Sequence, residues 1–336
     1  MLSIRIPALY VLPAFAAGAA LVILSYSAGA GRSVLPAPAV AESTATRACD
    51  TRFKRITSYK GISPLLSAET ECEADRLSPV KREITAIIER HKAVNGLFRA
   101  SVFLLNLDDA QWMVINDAEK FEPGSLMKVP TMIALLRQEE AEPGFLKKSV
   151  RYDSYPQGLP QVAFPPITPI EPGRTYTLEQ LMTACIVHSD NAATLLLNQN
   201  LDMARFHRAF TDLGMADFST GQNNYPMTAR EFSMFMKAIY SSAYLSMDHS
   251  EFAMGLLGRS DFDAGMAAGL PDNVAMAHKF GEAHGPGLMQ LHESGVVYLD
   301  GRAYLITVMT EGPTMEPLLG VLKEISAAAY KEMSRS

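Results

Sequence analysis

The order of strand and helix patterns constrains the fold of this chain more than any other feature. Two strand patterns come early, "RASVFLLNL" and "QWMVIN", and the short "DDA" between them is typical of a hairpin. Three more lie near the other end, "VAMAHKFG", "LHESGVVYL" and "AYLITVMTEG", and a helix pattern closes the chain. Strands from both ends that share one sheet predict an α+β fold. We expect an antiparallel sheet flanked by helices, plus an all-helical lobe formed by the block between the strands.

The helix patterns carry start signals. The first begins at Ser78, and two later ones have capping boxes, formed by Thr177 with Gln180 and by Thr228 with Glu231. Further helices are predicted at "NAATLLLNQN", "DMARFHRAFTDLGM", "EFAMGLLGR" and "DFDAGMAAGL". Residues 141–176 are rich in proline and glycine, which indicates a long irregular loop of the kind that is often functional.

The N-terminal region differs in composition from the rest. No charge lies between Arg5 and Arg32, a length that suits a membrane-spanning helix, although a cleaved signal peptide remains the alternative. We therefore expect an anchor or signal segment over 1–30, a linker and polar segment over 31–76, and one catalytic domain over 77–336.

Composition excludes several functions. A formal charge of −6 and a pI near 5.7 lack the basic footprint of a nucleic-acid binder. No spacing of Cys or His residues suggests a metal site, His284 and His292 included, and no cofactor is expected. Cys185 fits an inert core thiol, whereas Cys49 and Cys72 can pair if the domain lies outside the cytoplasm.

The stretch "PGSLMKVP" places a serine and a lysine on one face of a predicted helix. Ser125 lies at the positive end of that helix, and apolar neighbours would desolvate Lys128 and lower its pKa, as a lysine base requires. The spacing alone is a weak signal, because Ser78 and Lys81 share it and are explained as a helix start.

Two further polar motifs interrupt apolar surroundings. "HSDN" contains Ser189, Asp190 and Asn191 between two helices, where a helix N-cap is the plain alternative. "HKFG" contains Lys279 and Gly281 on a predicted strand. A lysine there also suits a solvated edge, and the glycine permits close approach of another backbone.

Together and in this order, the three motifs resemble the S-x-x-K, S-D-N and K-T-G set of class A β-lactamases and penicillin-binding proteins. The resemblance extends from about Ser78 to the C-terminus and implies a β-lactamase/transpeptidase-like fold. It implies that Ser125 is the acylated nucleophile and that Lys128 takes or relays its proton. Ser189 would protonate the leaving nitrogen, and Asn191 would bind Lys128 and the substrate.

The resemblance implies further roles. Lys279, in the third motif, would supply positive potential for a substrate carboxylate and for Ser189, and Asp190, in the second motif, would hold the turn of that motif. The backbone N–H groups of Ser125 and Glu282, just past Gly281, would form the oxyanion hole.

Two departures from the family pattern matter. Phe280 stands where the family has a hydroxyl residue that helps to bind the substrate carboxylate. Either the lost hydrogen bond weakens substrate binding by roughly 1.5–3 kcal/mol, or Phe280 turns into the cleft as an apolar contact for a different substrate. The stretch Thr211–Thr228 lacks the glutamate that activates the deacylating water in class A enzymes. Asp217 is a shorter substitute, and Glu231 is better explained by its capping box. Deacylation is therefore expected to be slow.

The expected function is a β-lactamase-like serine hydrolase acting on a β-lactam or a peptidoglycan stem peptide. A D,D-carboxypeptidase or transpeptidase is the alternative enzyme, and a penicillin-binding sensor or a scaffold is the alternative of another class. His188 is expected to be packed or solvated rather than catalytic. Such substrates place the domain outside the cytoplasm, anchored or secreted.

Overall fold

A computed structural model of the protein describes residues 50–56, 65–94, 96–155, 159, 161–216, 225–285 and 287–335. The chain divides into two units, 1–47 and 48–336, and every described residue belongs to the second. The predicted anchor over 1–30 and most of the predicted linker lie outside the described residues. Within the described part, no helix is both long and apolar enough to span a bilayer.

Nine strands are described, and five of them form the central sheet. The strands are β1 (Thr51–Arg55), β2 (Leu65–Thr70), β3 (Arg99–Asn106), β4 (Trp112–Ile115), β5 (Ser149–Arg151), β6 (Thr175–Thr177), β7 (Met276–Gly285), β8 (Leu288–Leu299) and β9 (Arg302–Gly312). The sheet is antiparallel in the order β4-β3-β9-β8-β7, while β1–β2 and β5–β6 form separate pairs. Strands from both ends of the chain therefore share one sheet, as predicted, and β7 lies at its edge.

Eight α-helices are described: α1 (Ser78–Val94), α2 (Lys128–Ala141), α3 (Leu178–Val187), α4 (Asn191–Asn198), α5 (Met203–Asp212), α6 (Ala229–Tyr240), α7 (Met247–Leu257) and α8 (Met315–Met333). The first and last share one apolar core with one face of the sheet. The other six pack in a second core on the opposite face and form the helical lobe. The α+β prediction is confirmed, and both predicted capping boxes are present.

Two local predictions were wrong. The segment "DFDAGMAAGL" forms only a short 3-10 turn, Ala267–Gly269, because the side chain of Glu293 accepts the N–H of Met266 at 2.6 Å and ties the segment to the sheet. Its two glycines also disfavour a helix, because glycine has a low helix propensity. Ser125 lies not on the α-helix but on a 3-10 turn, Gly124–Met127, that leads directly into α2.

The segment before residue 77 holds structure that the sequence patterns did not predict. Strands β1 and β2 pair antiparallel, and Trp112 donates its indole N–H to the carbonyl of Thr70 at 2.8 Å. Cys72 is disulfide-bonded, whereas Cys185 is a buried free thiol. Cys49 lies outside the described residues.

Candidate active site

Two glycines allow the Ser125 turn to pack directly against the edge strand β7. Gly124 has φ +53°, and a Cβ on it would lie 2.1 Å from the carbonyl oxygen of Glu282. A Cβ on Gly281 would lie 2.3 Å from the carbonyl oxygen of Pro123. Real Cβ atoms do not approach so closely, so both positions require glycine. This contact brings the backbone of Glu282 beside the turn that carries Ser125.

Buried side chains of β8 hold the residue that precedes this turn. Glu122 donates its N–H to Gln290 Oε1 at 2.9 Å, and its carbonyl lies 3.0 Å from His292 Nε2. The N–H of Thr310 donates to His292 Nδ1 at 3.2 Å, so Nε2 carries the proton and donates to Glu122. Burial lowers the pKa of His292 to about 4, which keeps the ring neutral. The turn therefore starts from a fixed backbone position.

Lys128 is buried and fully hydrogen-bonded. Its Nζ donates to the carbonyl of Ser189 at 2.6 Å, to Ser189 Oγ at 3.1 Å and to Asn191 Oδ1 at 2.8 Å. Burial lowers its pKa from 10.5 to about 8, although nearby acidic groups oppose the shift. An ammonium with three acceptors has no lone pair, so Lys128 becomes a base only when it is neutral.

Ser189 lies between two lysines. Its Oγ accepts an N–H from Lys279 at 2.9 Å, and the same Nζ donates to the carbonyl of Phe280 at 3.1 Å. Lys279 has no exposed surface, and burial together with the charge of Lys128 lowers its pKa well below the ordinary value. Ser189 itself has φ +53°, a left-handed conformation that costs a non-glycine residue energy. This conformation presents its hydroxyl to both amines.

Asp190 has a structural position. One carboxylate oxygen accepts from the N–H groups of Ala192 at 2.7 Å and Ala193 at 3.0 Å and so caps α4, which begins at Asn191. The other oxygen accepts from the N–H of Ile170 at 2.8 Å. Asp190 thereby fixes where Asn191 stands relative to Lys128.

Phe280 packs away from Ser125. Its ring stacks on Phe262 at 4.0 Å between centroids, meets Phe164 edge-on at 5.9 Å, and is almost fully buried. It borders a separate small cavity of about 200 Å³ that also contains His188 and Asp261. The Nδ1 of His188 lies 2.8 Å from Asp261 Oδ2.

Glu282 has a role that the sequence did not reveal, because only its backbone had been assigned one. Its buried carboxylate accepts from the N–H of Ala163 at 2.7 Å and that of Phe164 at 3.3 Å, and it lies 2.8 Å from His284 Nε2. Part of the proline-rich loop is thus bound to β7. An acidic residue inside an apolar strand, together with a long loop, was the available signal.

Ser125, Lys128, Asn191 and Glu282 share a cavity of about 610 Å³. Its apolar wall is Met127, Val162, Leu201, Met203 and Phe206. Its described lining does not include Ser189, Lys279 or Phe280. Ser189 is linked to the cavity by its hydrogen bonds with Lys128, which does line it.

Of the two candidates for a deacylation base, Glu231 is not among the described residues that line this cavity. Glu231 accepts the N–H of Thr228 at 2.9 Å and its own N–H donates to the Thr228 hydroxyl at 3.1 Å, so it serves the capping box. Asp217 lies outside the described residues. The described residues hold no group of three or more acidic, His or Cys side chains placed to bind a metal ion.

Comparisons with known proteins agree with this geometry. Residues 79–333 match the model of the family described as "Beta-lactamase enzyme family". Beta-lactamase CTX-M-25 of Escherichia coli is 25% identical over 286 residues, which cover 80% of this chain and 92% of that protein. A beta-lactamase of Kitasatospora aureofaciens is 27% identical over 246 residues, or 66% of this chain and 77% of that one.

Solved structures share the fold. PBP-A has a TM-score of 0.65 at 18% identity, covering 77% of this chain and 97% of its own. A beta-lactamase from Chitinophaga pinensis has a TM-score of 0.66 at 20% identity, covering 76% of this chain and 100% of its own.

Proposed function

Because this chain belongs to the beta-lactamase enzyme family, we propose that Ser125 attacks the carbonyl of an amide and forms an acyl-enzyme. The family makes the domain a serine hydrolase of the β-lactamase and penicillin-binding type. The amide is that of a β-lactam ring or of a D-Ala-D-Ala-type cell-wall peptide. The main support is the buried network in which Lys128 contacts Ser189 and Asn191 while Lys279 contacts Ser189.

The first step moves a proton from Ser125 to a neutral Lys128. With a pKa of about 8, Lys128 has a useful neutral fraction near neutral pH, which an ordinary lysine lacks. The bond from Ser125 Oγ to the carbonyl carbon then forms. The resulting oxyanion accepts from the backbone N–H groups of Ser125 and Glu282, each worth about 3 kcal/mol of barrier.

The second step breaks the carbon–nitrogen bond. Ser189 donates its hydroxyl proton to the departing nitrogen, and the protonated Lys128, which contacts the Ser189 Oγ, replaces it with the proton taken from Ser125. In net terms one proton passes from Ser125 to the amine product, and an acyl group remains on Ser125. A water molecule then cleaves the ester, releases the acid and regenerates the serine.

Deacylation is the slow step in this proposal. No glutamate occurs in residues 211–228, and Glu231 is engaged in its capping box. The carboxylate of Glu282 already accepts from two backbone N–H groups and contacts His284, so it is poorly placed to take a proton from water. A D,D-peptidase or a sensor that stays acylated fits this better than an efficient β-lactamase.

The catalytic unit is proposed to act outside the cytoplasm, tethered or released by residues 1–30. The disulfide of Cys72 supports an oxidising compartment. Mass analysis after thiol alkylation, with and without reductant, tests whether that disulfide forms in the native host.

Intact-mass analysis of the protein with benzylpenicillin, followed over hours, tests the proposed function. We expect an adduct on Ser125 that persists over hours and is absent from the Ser125→Ala variant. Rapid accumulation of hydrolysed drug without an adduct would contradict slow deacylation. A fluorophosphonate probe, whose phosphorus needs only a reactive serine, provides the control. If it fails to label Ser125, the proposed nucleophile is wrong.

A further inference from the structure

The charges around Ser125 do not suit an anionic substrate. Among the described residues that line its cavity, the charged or titratable side chains are Lys128, Tyr225, Glu282 and His284. Lys128 has all three N–H groups engaged by protein acceptors. The other ionisable groups of the described lining are a phenol, a histidine and the buried carboxylate of Glu282, and this lining offers no further arginine or lysine to pair with a substrate anion.

The neighbouring cavity repeats this pattern. Its described charged or titratable lining is His188, Asp261 and Asp263. Asp261 contacts His188 at 2.8 Å, and the described lining of this cavity contains no lysine or arginine.

Lys279, the cation that the motif would offer to an anion, is sealed inside the protein. It has no exposed surface, it donates to Ser189 and to the carbonyl of Phe280, and it lies 4.1 Å from the centre of the Phe280 ring. Burial also lowers its pKa well below the ordinary value. Lys279 is therefore enclosed by protein groups, among them the aromatic side chain of Phe280, which packs with Phe262 and Phe164.

Those aromatic side chains are locked by a second device. Phe164 packs edge-on against both Phe262, at 5.1 Å, and Phe280, at 5.9 Å. The backbone of Ala163 and Phe164 donates to the buried carboxylate of Glu282. Phe280 and Glu282 therefore act from one strand on one loop, and together they hold the aromatic cluster in place beside Lys279.

We infer that, among the β-lactam and cell-wall amides of the proposed function, this site prefers those whose carboxylate beside the scissile nitrogen is absent or blocked, and that Phe280 and Glu282 set this preference. The inference rests on the proposed acylation of Ser125. The apolar wall of the open cavity adds that the acyl part of the substrate is largely apolar. A substrate carboxylate in this cavity would lie near the like charge of Glu282 and would find no free lysine or arginine partner among the described lining residues, which disfavours it.

Benzylpenicillin and its methyl ester form a matched pair that differs only in the carboxylate. We expect the ester to acylate Ser125 at least as fast as the free acid, measured as second-order rate constants by quench and intact mass. Phe280→Thr and Glu282→Gln should each shift the ratio by about tenfold toward the free acid. Phe280→Leu, which loosens the aromatic cluster without a hydroxyl, is the control for packing, and thermal melting checks that each variant folds.

The outcomes separate the two levels of the argument. A free acid that reacts tenfold faster than the ester with the unmodified protein would overturn the inference, and so would reaction with neither form while a fluorophosphonate still labels Ser125. Absence of fluorophosphonate labelling would instead overturn the proposed function.

Discussion

The pH dependence of Ser125 acylation is the sharpest consequence of the buried Lys128. Lys128 acts as a base only in its neutral form, and its pKa is lowered from 10.5 to about 8 by burial. About a tenth of the lysine is then neutral at pH 7, about half at pH 8 and about nine-tenths at pH 9. The acylation rate constant should therefore rise about fivefold from pH 7 to pH 8 and about tenfold from pH 7 to pH 9.

A fluorophosphonate is the suitable probe, because it has no ionisable group in this range. Labelling is quenched at intervals between pH 6 and pH 10 and followed by intact mass. Lys128→Arg is the matched variant: its guanidinium keeps a positive charge but stays protonated at all these values. It should label at least 100-fold more slowly and without the rise near pH 8.

Two results would refute this reasoning. One is a labelling rate that stays flat from pH 6.5 to pH 9.5 in the unmodified protein. The other is a Lys128→Arg variant, folded by its melting curve, that keeps the unmodified rate. Either would mean that some group other than Lys128 takes the proton of Ser125.

Three further predictions concern stability and the role of single residues. The folded pKa of Lys128, about 8, lies below its unfolded value of 10.5, so the unfolded state binds more protons between these pH values. In urea unfolding, the free energy of unfolding of the unmodified protein should therefore rise by up to about 3 kcal/mol relative to Lys128→Met as the pH increases through that window. Parallel stability profiles of the two proteins would contradict this. Glu231→Gln should leave the lifetime of the acyl-enzyme unchanged, because glutamine also completes a capping box. Thr228→Ala, which removes the cap, should cost about 1 kcal/mol of stability. A longer acyl-enzyme lifetime in Glu231→Gln would identify Glu231 as the missing base. Gly124→Ala should lower the rate of fluorophosphonate labelling more than 100-fold, because its Cβ would collide with the backbone of Glu282. Gly255→Ala, whose Cβ would meet open space, should label at the unmodified rate. Equal labelling rates for the two variants would show that the contact with Glu282 is not needed.

The local signals in the sequence were sufficient for most of the elements. The capping boxes, the hairpin spacing and the alternation in the last three strands are short-range patterns, and the corresponding helices and strands form as predicted. The helix predicted over 261–270 does not form because the side chain of Glu293, on a distant strand, accepts the N–H of Met266 in place of a helical carbonyl. Local pattern does not contain that competitor.

The residues of the site also fall into two groups: those that the sequence motifs identified and those whose side-chain roles became visible only in the structure. Ser125, Lys128, Ser189, Asn191 and Lys279 were named from motifs, and the structure brings the last four into one hydrogen-bonded network beside the turn of the first.

The side-chain roles of Phe280 and Glu282 were not accessible from sequence. Both depend on the loop that contains Ala163 and Phe164, more than 100 residues earlier in the chain. Alternation along β7 gives the two faces of the strand, but it does not say which loop covers its edge.

The central sheet also determines when the site comes into existence. Strand β3 pairs with β9, and the bidentate contact between Arg99 and Glu311 joins residues 212 positions apart. During synthesis the nucleophile emerges early, but β7, which supplies Glu282, Gly281 and Lys279, emerges only after the whole helical lobe. A nascent or truncated chain therefore has the serine and its lysine without the backbone N–H of Glu282 that the proposed oxyanion hole needs, so the proposed acylation becomes possible only after the last strands have left the ribosome.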